Sequence, residues 1–315
     1  MSALLLDAPA TRAALDDAAV PALMSALRTA LISVADGTAS APSRTAAFSP
    51  HGLLGAMPGY VPGLGIGGKL TTVFPLPGGG SAHRGIVLLA DPETGRPVAL
   101  MDAEAVTAVR TAASATLSML TLARPDPALI AVIGAGAQAR AQLAMLAAIG
   151  CTAQVHVASR SPERAATAAR LLPGALACSS IQEAVAGADV VFCCTNATEP
   201  VIEISLLPPG AHVSSVGGSH GHEVDSSIVR AGHLFAEWHG AAAAAPPAGA
   251  YELQGVDSGN LTLLGAVLDG SAPGRRSEDQ LTVFKSTGHA ALDIAAAAVA
   301  LERARARGLG VEIDI

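Results

Sequence analysis

Residues 129–140 read LIAVIGAGAQAR, and this stretch constrains the chain more than any other. Leu129 to Ile133 is a short run of branched apolar residues, the composition of a strand buried on both faces. Gly134, Gly136 and Ala139 follow at the spacing G-x-G-x-x-A. From Ala137 to Ile149 the chain is rich in Ala, Leu, Gln and Met, which favour helix, and Gly150 stands where a helix-ending glycine belongs. Strand, glycine turn and helix in this order form the dinucleotide-binding fingerprint. The first glycine permits the tight turn, the second lets a pyrophosphate approach the backbone, and the alanine allows close packing of helix on strand. The anion would rest on the N–H groups of Ala137 and Gln138 at the helix start, where the dipole favours negative charge. The bare spacing carries little; its place between strand and helix carries the argument.

A chain of 315 residues has room for two domains and an ample core. Its net charge is −7 and it has no run of Lys or Arg, which argues against a nucleic-acid or anionic-membrane partner. Alanine drives the mean hydropathy of +0.45, and no uncharged apolar window reaches the length of a membrane span. The start, MSALLLDAPATRAALDD, has early acids and no basic segment, unlike a secretory leader. Cys151, Cys178, Cys193 and Cys194 form no C-x-x-C pair and have no metal-ligand spacing. They read as reduced core residues of a cytoplasmic protein.

Along the chain, residues 1–38 give a short apolar start and then a helical pattern, with Asp16 and Asp17 first and Val20, Leu23, Met24, Leu27 and Leu31 as an apolar stripe. Residues 39–100 carry many Gly and Pro between short apolar runs, which predicts antiparallel strands, with Asp91–Arg96 as a hairpin loop. Asp102 is placed to cap a helix running to about Ala123, and Pro125 and Pro127 then mark a break. From Leu129 to about Phe284 strands alternate with helices, as a parallel sheet requires. Ser161 and Pro162 read as a helix start, and Ser180 with Glu183 as a capping box. Gln154–Ala158, Asp189–Cys194 and His212–Val216 read as strands, and the strand ends at Gly134, Thr195 and Gly217 should converge on one crevice. Residues 240–250 are low in complexity and read as a loose loop or short helix. A last helix, about Thr287–Arg307, ends at Gly308. The predicted fold is α/β: a Rossmann-type parallel-sheet domain over 123–289, inserted into a β-rich α+β domain formed by 1–122 and 290–315.

The acid that binds the ribose hydroxyls of NAD normally ends the second strand. Here that place reads Ala158-Ser159-Arg160-Ser161, with no carboxylate. A hydroxyl followed by a guanidinium suits the 2′-phosphate of NADP, so NADP is expected over NAD.

Several stretches taken together resemble the ornithine cyclodeaminase/μ-crystallin family. They are Arg44 after a proline, Met57-Pro58, Gly68-Lys69, DPETGRPVALMDAEAVTAVRTAA (Asp91–Ala113), the GAGAQA turn, and LTVFKSTGHAALDIAAA (Leu281–Ala297). The resemblance implies that the β-rich domain and last helix bind substrate and dimerise, and that the chain is a homodimer acting on amino or imino acids with bound NAD(P). It implies that Arg44 and Arg110 bind the substrate carboxylate. Lys69 would stand beside the reacting carbon, with Met57 and His83 on the substrate side. Thr111 and Thr195 would lie near the cofactor. The cyclodeaminases of this family carry a catalytic aspartate in a stretch that here reads Gly217-Gly218-Ser219-His220-Gly221-His222-Glu223-Val224-Asp225. Ser219 holds its position, and a serine is a poor base at neutral pH. The ketimine reductases of the family also carry a serine there.

The expected activity is therefore NADPH-dependent reduction of a small α-imino acid, or the reverse dehydrogenation. Two alternatives stand beside it: an ornithine- or lysine-type cyclodeaminase with recycled NAD, and a non-catalytic NADP-dependent ligand-binding protein. Arginine suits a carboxylate because it binds as a fork, and Lys69 can hydrogen-bond the carboxylate or donate a proton. His220 falls where a crevice loop should be and is a candidate substrate-facing or proton-shuttling group, with Ser219 beside it. His220, His222, Glu223 and Asp225 make a metal site conceivable, but no further ligand pair supports it and none is expected. His156, His212 and Trp238 read as structural.

Overall fold

The computed structural model describes residues 2–75, 81–217 and 221–315. Contacts divide the chain into two compact units, Met1–Arg110 with His289–Ile315, and Thr111–Gly288.

The first unit opens with strand β1 (Ser2–Leu6) and helices α1 (Ala8–Ala14) and α2 (Val20–Ala35). Asp7 caps α1 by accepting from the Ala10 N–H at 2.9 Å. Leu23, Leu27 and Leu31 form a fully buried stripe along α2, as their helical spacing predicts. Strands β2 (Thr45–Ser49), β3 (Gly52–Val61), β4 (Gly65–Pro75), β5 (Ser81–Ala90) and β6 (Pro97–Asp102) then follow one another antiparallel. The Asp91 N–H closes the last turn onto the Arg96 carbonyl at 2.9 Å. Helix α3 (Ala103–Leu122) starts where the Asp102 carboxylate accepts from the Ala105 N–H at 2.7 Å.

The second unit takes in the end of α3 and then alternates. Its elements are β7 (Leu129–Ile133), α4 (Ala137–Ala148), β8 (Gln154–Ala158), α5 (Pro162–Ala169), β9 (Leu176–Ala177), α6 (Ile181–Val185), β10 (Val190–Cys193), β11 (His212–Ser215), α7 (Ser226–Ala231), β12 (His233–Ala236), α8 (Gly240–Ala243), β13 (Leu261–Leu263), α9 (Leu264–Leu268) and β14 (Thr282–Lys285). Helix α10 (Ala290–Arg307) and strand β15 (Val311–Asp314) return to the first unit.

The sheet of the first unit runs β15-β1-β6-β5-β4-β3-β2. Its two faces differ. Met57, Lys69 and Val87 are paired across β3, β4 and β5 and share the face on which α10 packs. A side chain at Gly59 on that face would put its Cβ 3.1 Å from Ala290 Cβ and Ile294 Cδ1, so the helix lies directly on the strand. The other face carries Leu54, Ile66, Leu70, Phe74 and Ile86, all exposed.

The sheet of the second unit is parallel throughout, in the order β13-β12-β14-β11-β10-β7-β8-β9. The chain starts at β7, builds outward through β8 and β9, and then crosses back to β10, so a crevice opens at the ends of β7 and β10. Both faces are covered. Ile130, Val132, Leu143 and Val157 pack on one side, and Ala131, Ile133, Val191 and Val213 on the other. Cys193 and Cys194 fall in opposite cores, as strand alternation requires.

Several local expectations are corrected. The passage between units falls between Arg110 and Thr111, inside α3, and not at the proline break. The end of the helix is bonded within the second unit: Ser114 reaches Glu237, Thr116 reaches Gln142 and Ser118 reaches His212. The return falls at His289, one residue before 290. That histidine caps α10, whose start is three residues later than the pattern suggests, because Thr287 and Gly288 turn their N–H groups to Glu237. The capping box is half formed. Ser180 accepts from the Glu183 N–H at 3.1 Å, but the Glu183 carboxylate turns to Ser179 at 2.6 and 2.7 Å. By length and composition alone, Asp17–Ala35 and Ala103–Leu122 could cross a membrane. Each nonetheless carries charge, at Asp17 and Arg28 and at Glu104 and Arg110.

Candidate active site

The glycine turn is formed as its spacing predicts. Gly134 has φ +121°, and a Cβ there would stand 2.4 Å from the Cys194 carbonyl oxygen, so no other residue fits. Gly136 is different. A Cβ would meet nothing within 4 Å, and no side chain caps the start of α4. The turn is thus closed against its own sheet at Gly134 and open at Gly136, where the N–H groups of Ala137 and Gln138 begin the helix. This fits a pyrophosphate in backbone contact. Ala139 is fully buried against the sheet.

At the end of β8, Arg160 is exposed and makes no ion pair among the described residues. Ser159 is occupied in its own turn, its hydroxyl donating to the Ser161 carbonyl at 2.7 Å. Thr111, the first residue of the second unit, is buried.

Thr195 and Gly217 do converge, and the residue that joins them is Glu223. It is fully buried. One carboxylate oxygen accepts from the Thr195 N–H and hydroxyl, both at 2.6 Å; the other accepts from the Ser215 hydroxyl at 2.6 Å and the Gly217 N–H at 2.8 Å. Lys285 donates to the Ser215 hydroxyl at 2.7 Å, the Gly217 carbonyl at 3.0 Å and the Glu252 carboxylate at 3.1 Å. Glu237 similarly ties the end of β12 to Ser286, Thr287 and Gly288. His222 is exposed, with its ring 6.1 Å from that of Tyr251, and Asp225 caps α7. No group of three metal-ligating side chains occurs among the described residues. His212 is fully buried between Ser118 and Thr282, and burial holds its pKa down at about 3.

In the first unit, Lys69, Arg110 and Asp293 meet below the inner face of the sheet. Asp293 lies on α10, one turn in, and is 1% exposed. Its Oδ1 accepts from Lys69 Nζ at 3.0 Å and from Arg110 Nε at 2.9 Å. Its Oδ2 lies 2.9 Å from the same ammonium, outside hydrogen-bonding geometry. Thr107 stands one turn before Arg110 on α3 and accepts from Lys69 at 3.2 Å. Met57 is the strand partner of Lys69, and the charge of Arg44 acts on both Lys69 and His289.

Burial brings the Lys69 ammonium down to about 8; Asp293 opposes that shift, while Arg110 and Arg44 add to it. Burial likewise brings His289 down to about 4, so it is neutral at pH 7. Asp293 stays below the usual carboxylate range, because the two cations outweigh its burial. Arg110 uses only its Nε: its terminal nitrogens donate no hydrogen bond among the described residues. Two cations thus share one carboxylate, and the arginine fork is left over.

Ser219 and His220 lie outside the described residues, as does the side chain of His83. Sequence reasoning missed Asp293, Glu223, Glu237 and Lys285. Asp293 had a signal, since it is an acid set among apolar residues in the first turn of an alanine-rich helix, and a buried charge demands a partner. Glu223 had none for this role: the sequence offers it only as a conceivable metal ligand beside His220, His222 and Asp225.

A parallel nucleotide-binding sheet, joined in one chain to a mostly antiparallel unit with a buried cationic cluster, defines a dinucleotide-dependent α/β oxidoreductase. The chain belongs to the ornithine cyclodeaminase/mu-crystallin family, whose sequence profile matches residues 12–308. It is 34% identical over 270 residues to the ketimine reductase mu-crystallin of Mus musculus, covering 83% of this chain and 84% of that one. Among solved structures it is similar to a Δ1-pyrroline-2-carboxylate reductase from Thermococcus litoralis in complex with NADH and L-proline. That match has a TM-score of 0.86 and 27% identity over 98% of this chain and 100% of the other. A probable ornithine cyclodeaminase from Bordetella pertussis matches with a TM-score of 0.85 and 27% identity, over 98% and 99%.

Proposed function

We propose that this chain reduces a small α-imino acid to the amino acid with NADPH, and catalyses the reverse dehydrogenation. The observation that carries the reading is the Lys69–Asp293–Arg110 cluster. Its excess positive charge is buried, and the unused fork of Arg110 is the shape that binds a carboxylate in pairs. Arg44 adds to the same positive field.

When bound, the reduced nicotinamide supplies the hydride. The chain's own residues hold the substrate and supply the proton. Arg110 and Arg44 fix the carboxylate, and this sets the imine carbon in place. Lys69 is cationic at neutral pH and releases a proton more readily than an ordinary lysine, which suits a proton donor to the imine nitrogen. Met57, the strand partner of Lys69, is assigned to substrate binding, and His83, Ser219 and His220 are carried from the sequence as candidate substrate residues. The pyrophosphate is assigned to Gly134, Gly136, Ala137 and Gln138, and the nicotinamide side to Thr111, Thr195 and Gly217.

NADPH is preferred over NADH on this reading. Arg160 is exposed at the end of β8, and no carboxylate stands at residues 158–161 to bind free ribose hydroxyls. The chain acts as a homodimer, with a second copy on the exposed apolar face of Leu54, Ile66, Leu70, Phe74 and Ile86. All four cysteines are free, which accords with a cytoplasmic location. The names of the reductase relatives support this activity over ring closure, and Ser219 in place of the cyclodeaminase aspartate supports it independently. The test is a coenzyme titration with a cyclic α-imino acid: NADPH preference is expected, and it should be lost in Arg160→Ala. A preference for NADH that Arg160→Ala leaves unchanged would sink the coenzyme assignment.

A further inference from the structure

We infer that Glu223 is a positioning residue, which fixes the two strand-end loops that hold the nicotinamide half of the dinucleotide. The inference rests on the dinucleotide reading above.

Strand β7 lies between β8 and β10. With the pyrophosphate on the turn after β7 and the adenine half over β8, the nicotinamide half extends over the ends of β10 and β11. Those ends are Thr195 and Gly217. Sheet pairing does not hold them, because the last ladder bond there runs from the Val216 N–H to the Cys193 carbonyl at 3.0 Å. Past it, the Thr195 N–H and the Gly217 N–H both turn to Glu223.

One carboxylate oxygen serves each loop, and each accepts two donors. A side chain on Gly217 would fall 2.2 Å from the Thr195 carbonyl oxygen, so the loops are also in direct contact. The clasp is itself anchored. Lys285 holds Ser215 and Gly217, and Glu252 accepts from the Glu223 N–H at 2.6 Å. A carboxylate can accept all four donors at once. Glutamine has one accepting oxygen and an amide that would face an N–H, so Glu223→Gln keeps the volume but releases one loop.

The test compares the whole dinucleotide with its adenine half. NADPH and 2′-phospho-ADP-ribose are titrated against wild-type protein and Glu223→Gln. The Kd for NADPH should rise about tenfold, the scale of one charged hydrogen bond, while that for 2′-phospho-ADP-ribose changes less than about twofold. General disruption of the unit would weaken both. Equal losses for the two ligands, or no loss of NADPH affinity, would overturn the inference. Ser215→Ala removes one donor and keeps the carboxylate; if Glu223→Gln does not fold, this variant should show the same asymmetry at about threefold, and its absence counts equally against the clasp. A wild-type chain that binds neither ligand overturns the proposed function itself, an outcome distinct from a clasp that fails alone.

Discussion

Asp293 holds up the pKa of the buried Lys69 ammonium. A lysine this deeply buried would lose its proton well below its ordinary 10.5, and the adjacent carboxylate limits the fall to about 8. In the proposed reaction it is the protonated form of Lys69 that serves. The rate of reduction should therefore hold steady below about pH 8 and decline above it, in profiles of kcat/KM with two imino acids of different basicity. A limb that moves with the substrate's basicity would take Lys69 out of the proton role. Asp293→Asn removes the opposing charge, so the limb should move to lower pH, and kcat should fall about 100-fold. The same pair makes opposite contributions to stability. Folding lowers the Lys69 pKa, so its burial cost is present below about pH 8 and fades toward 10.5. Folding also lowers the Asp293 pKa, and its contribution is lost as pH falls through that lowered value. Arg110→Ala removes the fork: the substrate KM should rise about 30-fold, equivalent to about 2 kcal/mol, with NADPH affinity nearly unchanged. Equal losses in both would make Arg110 structural.

At the scale of elements, the two glycines of the turn have different duties, and substitution separates them. Gly136 faces open space in ordinary extended backbone. Gly136→Val should keep the melting temperature within about 1 °C and still lose NADPH binding by at least about tenfold. A variant that binds normally would mean that the turn carries no pyrophosphate. In the first unit, Gly59 sets the distance between β3 and α10. Gly59→Val should cost about 1–3 kcal/mol by overpacking, read as a Tm drop of several degrees. Most of these elements were legible, because period-2 and period-3.6 patterns, Asp102, Ser161 and Gly308 announce them locally. What was not legible is long-range. The half-formed capping box at Ser180 and the late start of α10 both depend on where a carboxylate finds its donors. Glu223 and Asp293 acquire their roles only once distant segments meet, 28 residues apart for Glu223 and Thr195 and 224 apart for Asp293 and Lys69.

At the scale of the molecule, two compact units share one chain: a nucleotide sheet, and a mostly antiparallel sheet with one face on α10 and one face bare. The bare face is apolar in a chain with a net charge of −7, which favours a partner of matching chemistry. Leu70→Glu together with Ile86→Lys, a strand pair on that face, should convert a dimer to a monomer in light scattering. An unchanged mass would place the interface elsewhere. In the proposed reaction the nucleotide is consumed as a reductant, and stoichiometry separates that from a recycled coenzyme. Purified protein is given NADPH and a panel of cyclic and linear α-imino acids, and in parallel ornithine without added coenzyme. One NADPH should be oxidised for each amino acid formed, with no product from ornithine. Release of proline and ammonia from ornithine without net coenzyme oxidation would contradict it.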